Sequence, residues 1–448
     1  MTPRISPSSW PLLRRLGPAA RGVAGISGGT VVSQVLVLVA TPLLARLYGP
    51  DAFGIFAWVS SAAIATCLVA TLRLELAIPI AEEGRPLREL LSVSLAVSLI
   101  LSALLALLTP WLGRVVDDTS NLALMPSLYL LAPTTLAIAV LAIFGQLLIR
   151  NRNYRMVAVR SITASAAMVA SQLLLGLIAP GGFSLLLGQV LGRATAGIQM
   201  LWMFARQLQW PTRASFAAVF GRYWRFAAFF TPAAILNTLG GQLPLLMSGI
   251  WFGAEEAGYV GLTWRILAAP TALIGVAVSS VFLGELARRS QDDPAESARI
   301  YSIALRRLLP IGLAIIVLPV VFGPWAFALF LGPEWAEAGQ VARIVAPAIG
   351  LSFIAGPLRQ VLVVFERHRM TLTLDAVRVV LTLGLGLAVY EQTGDFLKTM
   401  AGFSLALTLT YALEIAATWV TARRGPRRRE DISVAQTASE NPFEEELD

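Results

Sequence analysis

The sequence predicts an all-α polytopic membrane protein, with about twelve transmembrane helices in two six-helix bundles around a central cavity. Three observations predict it. Hydrophobic residues make up 56% of the 448 positions and charged residues 14%, and the mean hydropathy is +0.70; no water-soluble core could absorb that balance. The apolar residues gather into stretches about as long as a bilayer is thick, which takes roughly 20 residues of helix. Most of the 35 basic residues fall in alternate gaps between those stretches, the asymmetry that orients helices in a membrane.

The elements follow in order. Residues 1–21 carry Arg4, Arg14, Arg15 and Arg21 and read as a cytoplasmic N-terminal segment. The first apolar run starts too late, and is too long, for a cleavable leader. Six helices are predicted at about 22–47, 53–80, 90–112, 125–149, 158–179 and 183–205, so that 22–205 forms an N-terminal six-helix bundle. A linker at 206–225 sets Arg206, Arg213, Arg222 and Arg225 among Trp210, Tyr223 and Trp224, a mixture suited to the cytoplasmic membrane interface. Six more helices, at about 226–252, 257–284, 308–331, 339–365, 370–390 and 396–422, make 226–422 the C-terminal bundle. The tail, 423–448, begins with a run of arginines and turns acidic, and reads as a disordered cytoplasmic segment. The basic-poor gaps hold little beyond Arg46, Arg114, Arg343 and Lys398 near helix ends, so they face away from the cytoplasm. Both termini are therefore expected inside, in an inner (plasma) membrane.

Composition excludes several functions. A pI near 10.2 invites a nucleic-acid reading, but the arginines are dispersed as topology signals instead of gathered on one face, so no nucleic-acid partner is expected. The single cysteine, Cys67, rules out an intramolecular disulfide and a cysteine-based metal cluster. No ATP-binding Gly-x-x-x-x-Gly-Lys-Ser/Thr sequence occurs. The short outer connections leave no room for a catalytic domain, and the acidic pair Asp117 and Asp118 reads as a solvated turn. No catalytic residue, metal or cofactor is expected.

The two bundles look like copies of one design. Tyr48-Gly-Pro-Asp-Ala-Phe-Gly54, between the first two helices, resembles Phe252-Gly-Ala-Glu-Glu-Ala-Gly258, six helices later. Gln146-Leu-Leu-Ile-Arg-Asn-Arg152, after the fourth helix, is echoed by Gln360 to Arg367 after the tenth. Parallel repeats of this kind place a substrate in the crevice between them.

Five arginines are stranded at membrane depth, where an uncompensated cation costs about 3 kcal/mol. At about 1.5 Å per residue, Arg73 and Arg359 sit roughly 10 Å inside the cytoplasmic ends of their helices, with Arg378 at similar depth. Arg193 lies mid-helix and Arg265 in the outer half of the eighth helix. Arg73, Arg193, Arg265 and Arg359 are the candidate substrate-binding cations, because guanidinium grips phosphate oxygens in bidentate fashion. Each has a plainer reading beside it: Arg73 could snorkel, Arg193 could pair with Glu414, and Arg378 with Asp375 one turn away. Arg73 and Glu75, two residues apart on a helix, would point to different faces. Glu75, Asp375 and Glu414 are the buried carboxylates, candidates for proton or sodium coupling or simple counter-ions. In the seventh helix Gly240, Gly241 and Pro244 suggest a discontinuous helix that brings Asn237 and Gln242 to a binding site.

Ser27-Gly-Gly-Thr30, the run from Thr41 through Arg46, Gly49 and Gly54, and Leu72-Arg-Leu-Glu-Leu-Ala-Ile78 together resemble the bacterial polysaccharide-transporter flippases. That family lies in the superfamily that also holds multidrug exporters and lipid II flippases. The resemblance implies translocation of undecaprenyl-pyrophosphate-linked oligosaccharide across the bacterial inner membrane for O-antigen, capsule or exopolysaccharide synthesis. Alternating access of a cationic cavity would drive it. The polyprenyl-linked oligosaccharide and membrane lipid are the implied partners, with polysaccharide polymerase and export machinery as further candidates. Arg46, Gly49, Gly54, Arg73 and Glu75 carry the motif match. An ion-coupled multidrug exporter of the same fold is the alternative; it would favour an acidic, aromatic cavity. A membrane glycosyltransferase or polymerase, and a scaffold for other glycan enzymes, are further readings.

Overall fold

The computed structural model describes residues 18–119, 122, 124–289 and 294–425. The extreme N-terminal segment and nearly all of the acidic tail lie outside the described residues, as do the side chains of Asp117 and Asp118. Among the described residues every regular element is helical: α1 (Pro18–Thr71), α2 (Arg85–Thr119), α3 (Leu131–Arg150), α4 (Tyr154–Ile178), α5 (Gly182–Phe204), α6 (Arg213–Arg225), α7 (Thr231–Phe252), α8 (Ala254–Arg289), α9 (Pro294–Leu331), α10 (Ala336–Leu358), α11 (Gln360–Val364), α12 (His368–Thr393) and α13 (Phe396–Arg424). This is an all-helical, multi-pass membrane protein. Nine stretches among the described residues are long and apolar enough to cross a bilayer, and one of them, Gly28–Thr71, takes in most of the first two predicted spans. Those two spans are joined at Gly49, whose φ of 68° and ψ of 172° break the helix where a side chain would be strained.

α1 packs with α2, α3, α4 and α5, while α8, α9, α10, α12 and α13 pack among themselves together with α7. The two sets meet where α1 lies along α8 and α7. Their seam has a reciprocal geometry. A methyl group on Gly54 would overlap the Ala254 carbonyl, and one on Gly258 would overlap the Pro50 carbonyl. Pro50 and Ala254, and Gly54 and Gly258, are equivalent positions of the two similar turns, so each copy presses its glycine against the other's backbone. One turn further on, Gly261 rests on its own counterpart, Ala57. Such mutual contacts arise when two like elements meet about a two-fold axis.

The second sequence echo is also structural. In one copy Asn151, Arg152 and Asn153 donate their N–H groups to Leu147, Ile149 and Leu148; in the other Phe365, Glu366 and Arg367 donate to Val361, Val363 and Leu362. The central residue of each turn is left-handed, Arg152 at φ 52° and Glu366 at φ 54°. Both turns satisfy carbonyls left over at a helix C-terminus and launch the next helix, α4 and α12.

Further bonds hold the seam near Gly49. Trp335 is fully buried, edge-on to Phe53 at 5.4 Å, and its indole N–H donates to the Ala45 carbonyl at 3.2 Å. Arg46, expected near a helix end, reaches the Leu329 and Phe330 carbonyls at 3.4 Å. Trp58 donates to Leu246 O at 3.1 Å. Within the second set, Pro324 has no N–H for the Val320 carbonyl, and Arg343 supplies the missing donor at 2.8 Å. In the linker, α6 buries Ser215, Val219 and Tyr223, spaced by four, and leaves Arg213, Arg225 and Trp224 exposed.

Two expectations need correction. The seventh helix is unbroken: α7 runs through Gly240, Gly241 and Pro244, because its glycine serves packing, with Gly240 leaving room for the Arg378 side chain. The second span ends at Thr71, earlier than predicted, since Leu72 and Arg73 turn left-handed before a 3-10 stretch, Leu74–Ile80. The tenth span lies where the sequence predicts it and runs on as one stretch, Pro333–Val364; only its hydrogen bonding tightens locally at Arg359, between α10 and α11, where Leu362 N–H donates to the Arg359 carbonyl.

Candidate functional site

The stranded charges divide into three groups. In the second set, Arg359 and Arg378 are locked to carboxylates. Asp375 Oδ2 accepts from Arg359 Nη2 at 2.5 Å, and its Oδ1 accepts from Arg378 Nη2 at 2.7 Å and from Asn237 Nδ2 at 3.2 Å. Glu414 lies 3.4 Å from Arg359 and 4.0 Å from Arg378. The Asn237 carbonyl accepts from Arg378 at 3.2 Å, and the Arg378 guanidinium stands 5.6 Å from the Tyr411 ring centre. Two cations and two anions therefore close a neutral network that ties α7, the α10–α11 junction, α12 and α13 together. Each charge has the partner that burial demands. Arg359 is thus paired, not a free cation, and Glu414 serves it rather than Arg193. The Arg378–Asp375 pair is the one foreseen from spacing alone.

In the first set, Arg73 Nη1 lies 3.2 Å from Glu75 Oε1. The prediction that these two diverge assumed helical geometry. The left-handed turn at Arg73 removes that geometry and brings the side chains together. Among the described residues Glu75 keeps one buried oxygen with no hydrogen-bond partner, as does Arg73 its Nε. Arg193 stands on α5 one turn after Gln189, which donates to Ser60 of α1 at 3.0 Å. Its Nη1 is buried without a hydrogen-bond partner among the described residues. The first set thus collects two cations and one carboxylate.

Arg265 differs from all of these. It stands on α8 one turn beyond Gly261, at the seam, equivalent in the repeat to Ser61. Ser61 donates across the seam to Gln242 of α7 at 3.4 Å. The Arg265 guanidinium lies 5.9 and 5.8 Å from the ring centres of Phe53 and Phe56, and its buried Nε and Nη2 have no hydrogen-bond partner among the described residues. Two aromatic faces offer a cation about 0.5–2 kcal/mol each, short of the several kcal/mol that desolvation costs. Such a group is a ready acceptor for an anion. Sequence reasoning missed Phe53 and Phe56; the first lies within the turn motif and the second two residues after it, and their aromatic character was the available signal. Beside Arg265, Ile266 helps line an apolar niche of about 210 Å³ with Leu38, Pro42, Phe327 and Phe330, between α1, α8 and α9.

Comparison with known proteins matches the chain to a family. A family model described as polysaccharide biosynthesis protein matches residues 43–340. The succinoglycan biosynthesis transport protein ExoT of Rhizobium meliloti is 23% identical over 361 residues, 78% of this chain and 68% of that protein. The teichuronic acid biosynthesis protein TuaB of Bacillus subtilis is 22% identical over 227 residues, 51% of this chain and 46% of that one. Among solved structures, the lipid II flippase MurJ in an inward closed conformation aligns with a TM-score of 0.70 at 12% identity, covering 89% of each chain. A MOP superfamily transporter from Pyrococcus furiosus, described as having a binding pocket of reverse polarity, aligns at 0.62 and 14% identity over 92% of this chain and 97% of that one. A MATE structure in complex with MaL6 aligns at 0.61 and 14%, over the same shares. At such identities these structures share the fold.

Proposed function

Because the chain belongs to the polysaccharide biosynthesis protein family, we propose that it is a flippase carrying a polyprenyl-pyrophosphate-linked oligosaccharide from the cytoplasmic to the outer leaflet of a bacterial inner membrane. The family places it among membrane transport proteins of polysaccharide and exopolysaccharide synthesis, not among enzymes. In this reading twelve spans form two six-helix bundles, 22–205 and 226–422, with both termini cytoplasmic and the crevice between the bundles as the passage. The 206–225 linker lies along the cytoplasmic membrane surface. Coupling to a proton or sodium gradient gives direction, and polymerase and export machinery receive the product.

The observation that carries the reading is Arg265, a half-buried arginine at the seam of the two bundles with aromatic walls, two buried N–H nitrogens without a hydrogen-bond partner and no acidic partner among the described residues. Pyrophosphate is the complement of such a group. Arg193 offers a second unsatisfied donor, and Arg73 a third shared with Glu75. The apolar niche beside Arg265 supplies a lateral berth for the polyprenyl chain while the sugar crosses inside. A drug exporter for cations would need a carboxylate to spare, whereas Glu75, Asp375 and Glu414 each face an arginine. The test is reconstitution in vesicles with a fluorescent polyprenyl-pyrophosphate oligosaccharide, following whether its head changes leaflet. Transfer by the wild type, lost in Arg265→Ala, supports the reading. Transfer unaffected by that change refutes it.

A further inference from the structure

The closed network of the second set is unevenly held. Asp375 has three partners, at 2.5, 2.7 and 3.2 Å, whereas Glu414 has two looser ones, at 3.4 and 4.0 Å. The network is also unevenly exposed. The Arg359 side chain is 18% accessible against 3% for Asp375, 5% for Glu414 and 7% for Arg378. Arg359 sits at the junction between α10 and α11, and Gly356, close before it, is exposed, with open space where a Cβ would be. The network can therefore be entered by way of Arg359.

The consequences of removing Arg359 from the network differ for its two carboxylates. If the guanidinium turned to an arriving phosphate, Asp375 would retain Arg378 and Asn237. Glu414 would retain only Arg378, at 4.0 Å. Among the described residues the titratable neighbours of Glu414 offer no replacement cation. Tyr411, on its own helix, lies under Arg378, and Tyr301 from α9 donates its hydroxyl at 2.9 Å to the carbonyl of Ile415, the residue after Glu414. An ionised carboxylate left in that position meets the penalty that makes buried acids take up a proton.

We propose that Arg359 and Glu414 form an exchange pair: a phosphate- or pyrophosphate-bearing ligand takes the Arg359 guanidinium, and Glu414 takes a proton in its place. In the exchange the Arg359–Glu414 ion pair opens, an Arg359–phosphate hydrogen bond forms, and one solvent proton binds Glu414; no covalent bond is made or broken among heavy atoms. Release of the ligand reverses each step, so anion and proton enter and leave as a pair. The inference rests on the proposed reading of the protein as an anion carrier; a proton that travels outward with the cargo keeps the occupied site near neutral, and the direction of transport then comes from the sodium gradient and not from protons. By linkage, a ligand whose binding draws in a proton binds more tightly as pH falls.

The test is calorimetric titration of the full chain in zwitterionic-lipid nanodiscs, in buffers of different ionisation enthalpy. Farnesyl pyrophosphate is the lipid-like probe and inorganic pyrophosphate the arm without a tail. The expected result is close to one proton more taken up per ligand by the wild type than by Glu414→Gln, since the probe's own titration is common to both. Across the responsive range wild-type affinity should weaken by up to about tenfold more per pH unit than that of the variant. Binding of either probe with no net proton uptake, or with the same uptake in both proteins, overturns the exchange pair while leaving the carrier reading intact. No binding of either probe overturns both. Should Glu414→Gln fail to fold, the wild-type proton count decides once the probe's own protonation, titrated free in the same buffers, is subtracted. Response to farnesyl pyrophosphate only identifies a lipid-linked ligand, and equal response to both identifies the phosphate itself.

Discussion

Replacing Asp375 by alanine should be the most damaging single change in the second set. The substitution removes the acceptor of three bonds at once, to Arg359, Arg378 and Asn237. It turns a neutral buried network into one with an excess positive charge, leaving two guanidiniums to share Glu414 across 3.4 and 4.0 Å. Breaking a buried ion pair by removing one partner costs about 3–5 kcal/mol, most of it the penalty of the stranded charge. The same reasoning predicts partial rescue. Arg359→Ala combined with Asp375→Ala leaves Arg378 facing Glu414, neutral again, so the double variant should fall short of the summed single losses by about 2 kcal/mol or more. Denaturant unfolding in mixed micelles, followed by tryptophan fluorescence, reads both quantities. A loss under about 1 kcal/mol for Asp375→Ala, or simple additivity in the pair, would show that the network is not the closed, desolvated unit its distances describe.

Other expectations follow from the same geometry. Gly54→Val and Gly258→Val should be equally harmful, each by about 3 kcal/mol or more, because in either copy the new side chain meets backbone that cannot rotate away; thermal unfolding of the two variants, measured side by side, tests the reciprocity. The Arg222 hydrogen bond and charge hold the Glu82 carboxyl below the usual carboxylate range. That contact is therefore complete above the ordinary carboxylate pKa and fades as pH falls through the lowered value. Both groups are fully solvated, so Glu82→Gln should leave stability at neutral pH unchanged while raising hydrogen exchange in α6. Arg343→Ala should free the Val320 carbonyl that Pro324 cannot satisfy, costing about 1–3 kcal/mol and detectable as a lowered melting temperature.

The helical, multi-pass character and the likeness of the two Gly-rich turns were legible because each depends on local pattern, apolar length in the one case and turn residues in the other. The reciprocal contact of those loops could not be read from the chain, although their likeness hinted at it. The pairing of Arg73 with Glu75 was misjudged for a stated reason, namely that spacing rules hold only while the helix lasts, and Leu72 ends it. Arg359 and Arg265 looked alike in sequence, two arginines at membrane depth. Their difference is tertiary: α12 and α13 bring carboxylates to one, while α1 brings only phenylalanines to the other. Pro244 misled in the opposite direction, since a proline that would break a solvated helix is carried within α7 by surrounding packing.

The central claim, that Arg265 receives the anionic head of a lipid-linked glycan, is tested most directly by leaflet transfer of a fluorescent polyprenyl-pyrophosphate oligosaccharide in vesicles holding wild type, Arg265→Lys or Arg265→Ala. The account predicts transfer by the wild type, a reduced rate with lysine, which keeps the charge but not the bidentate fork, and none with alanine at equal amounts of folded protein. Equal transfer by all three would contradict it.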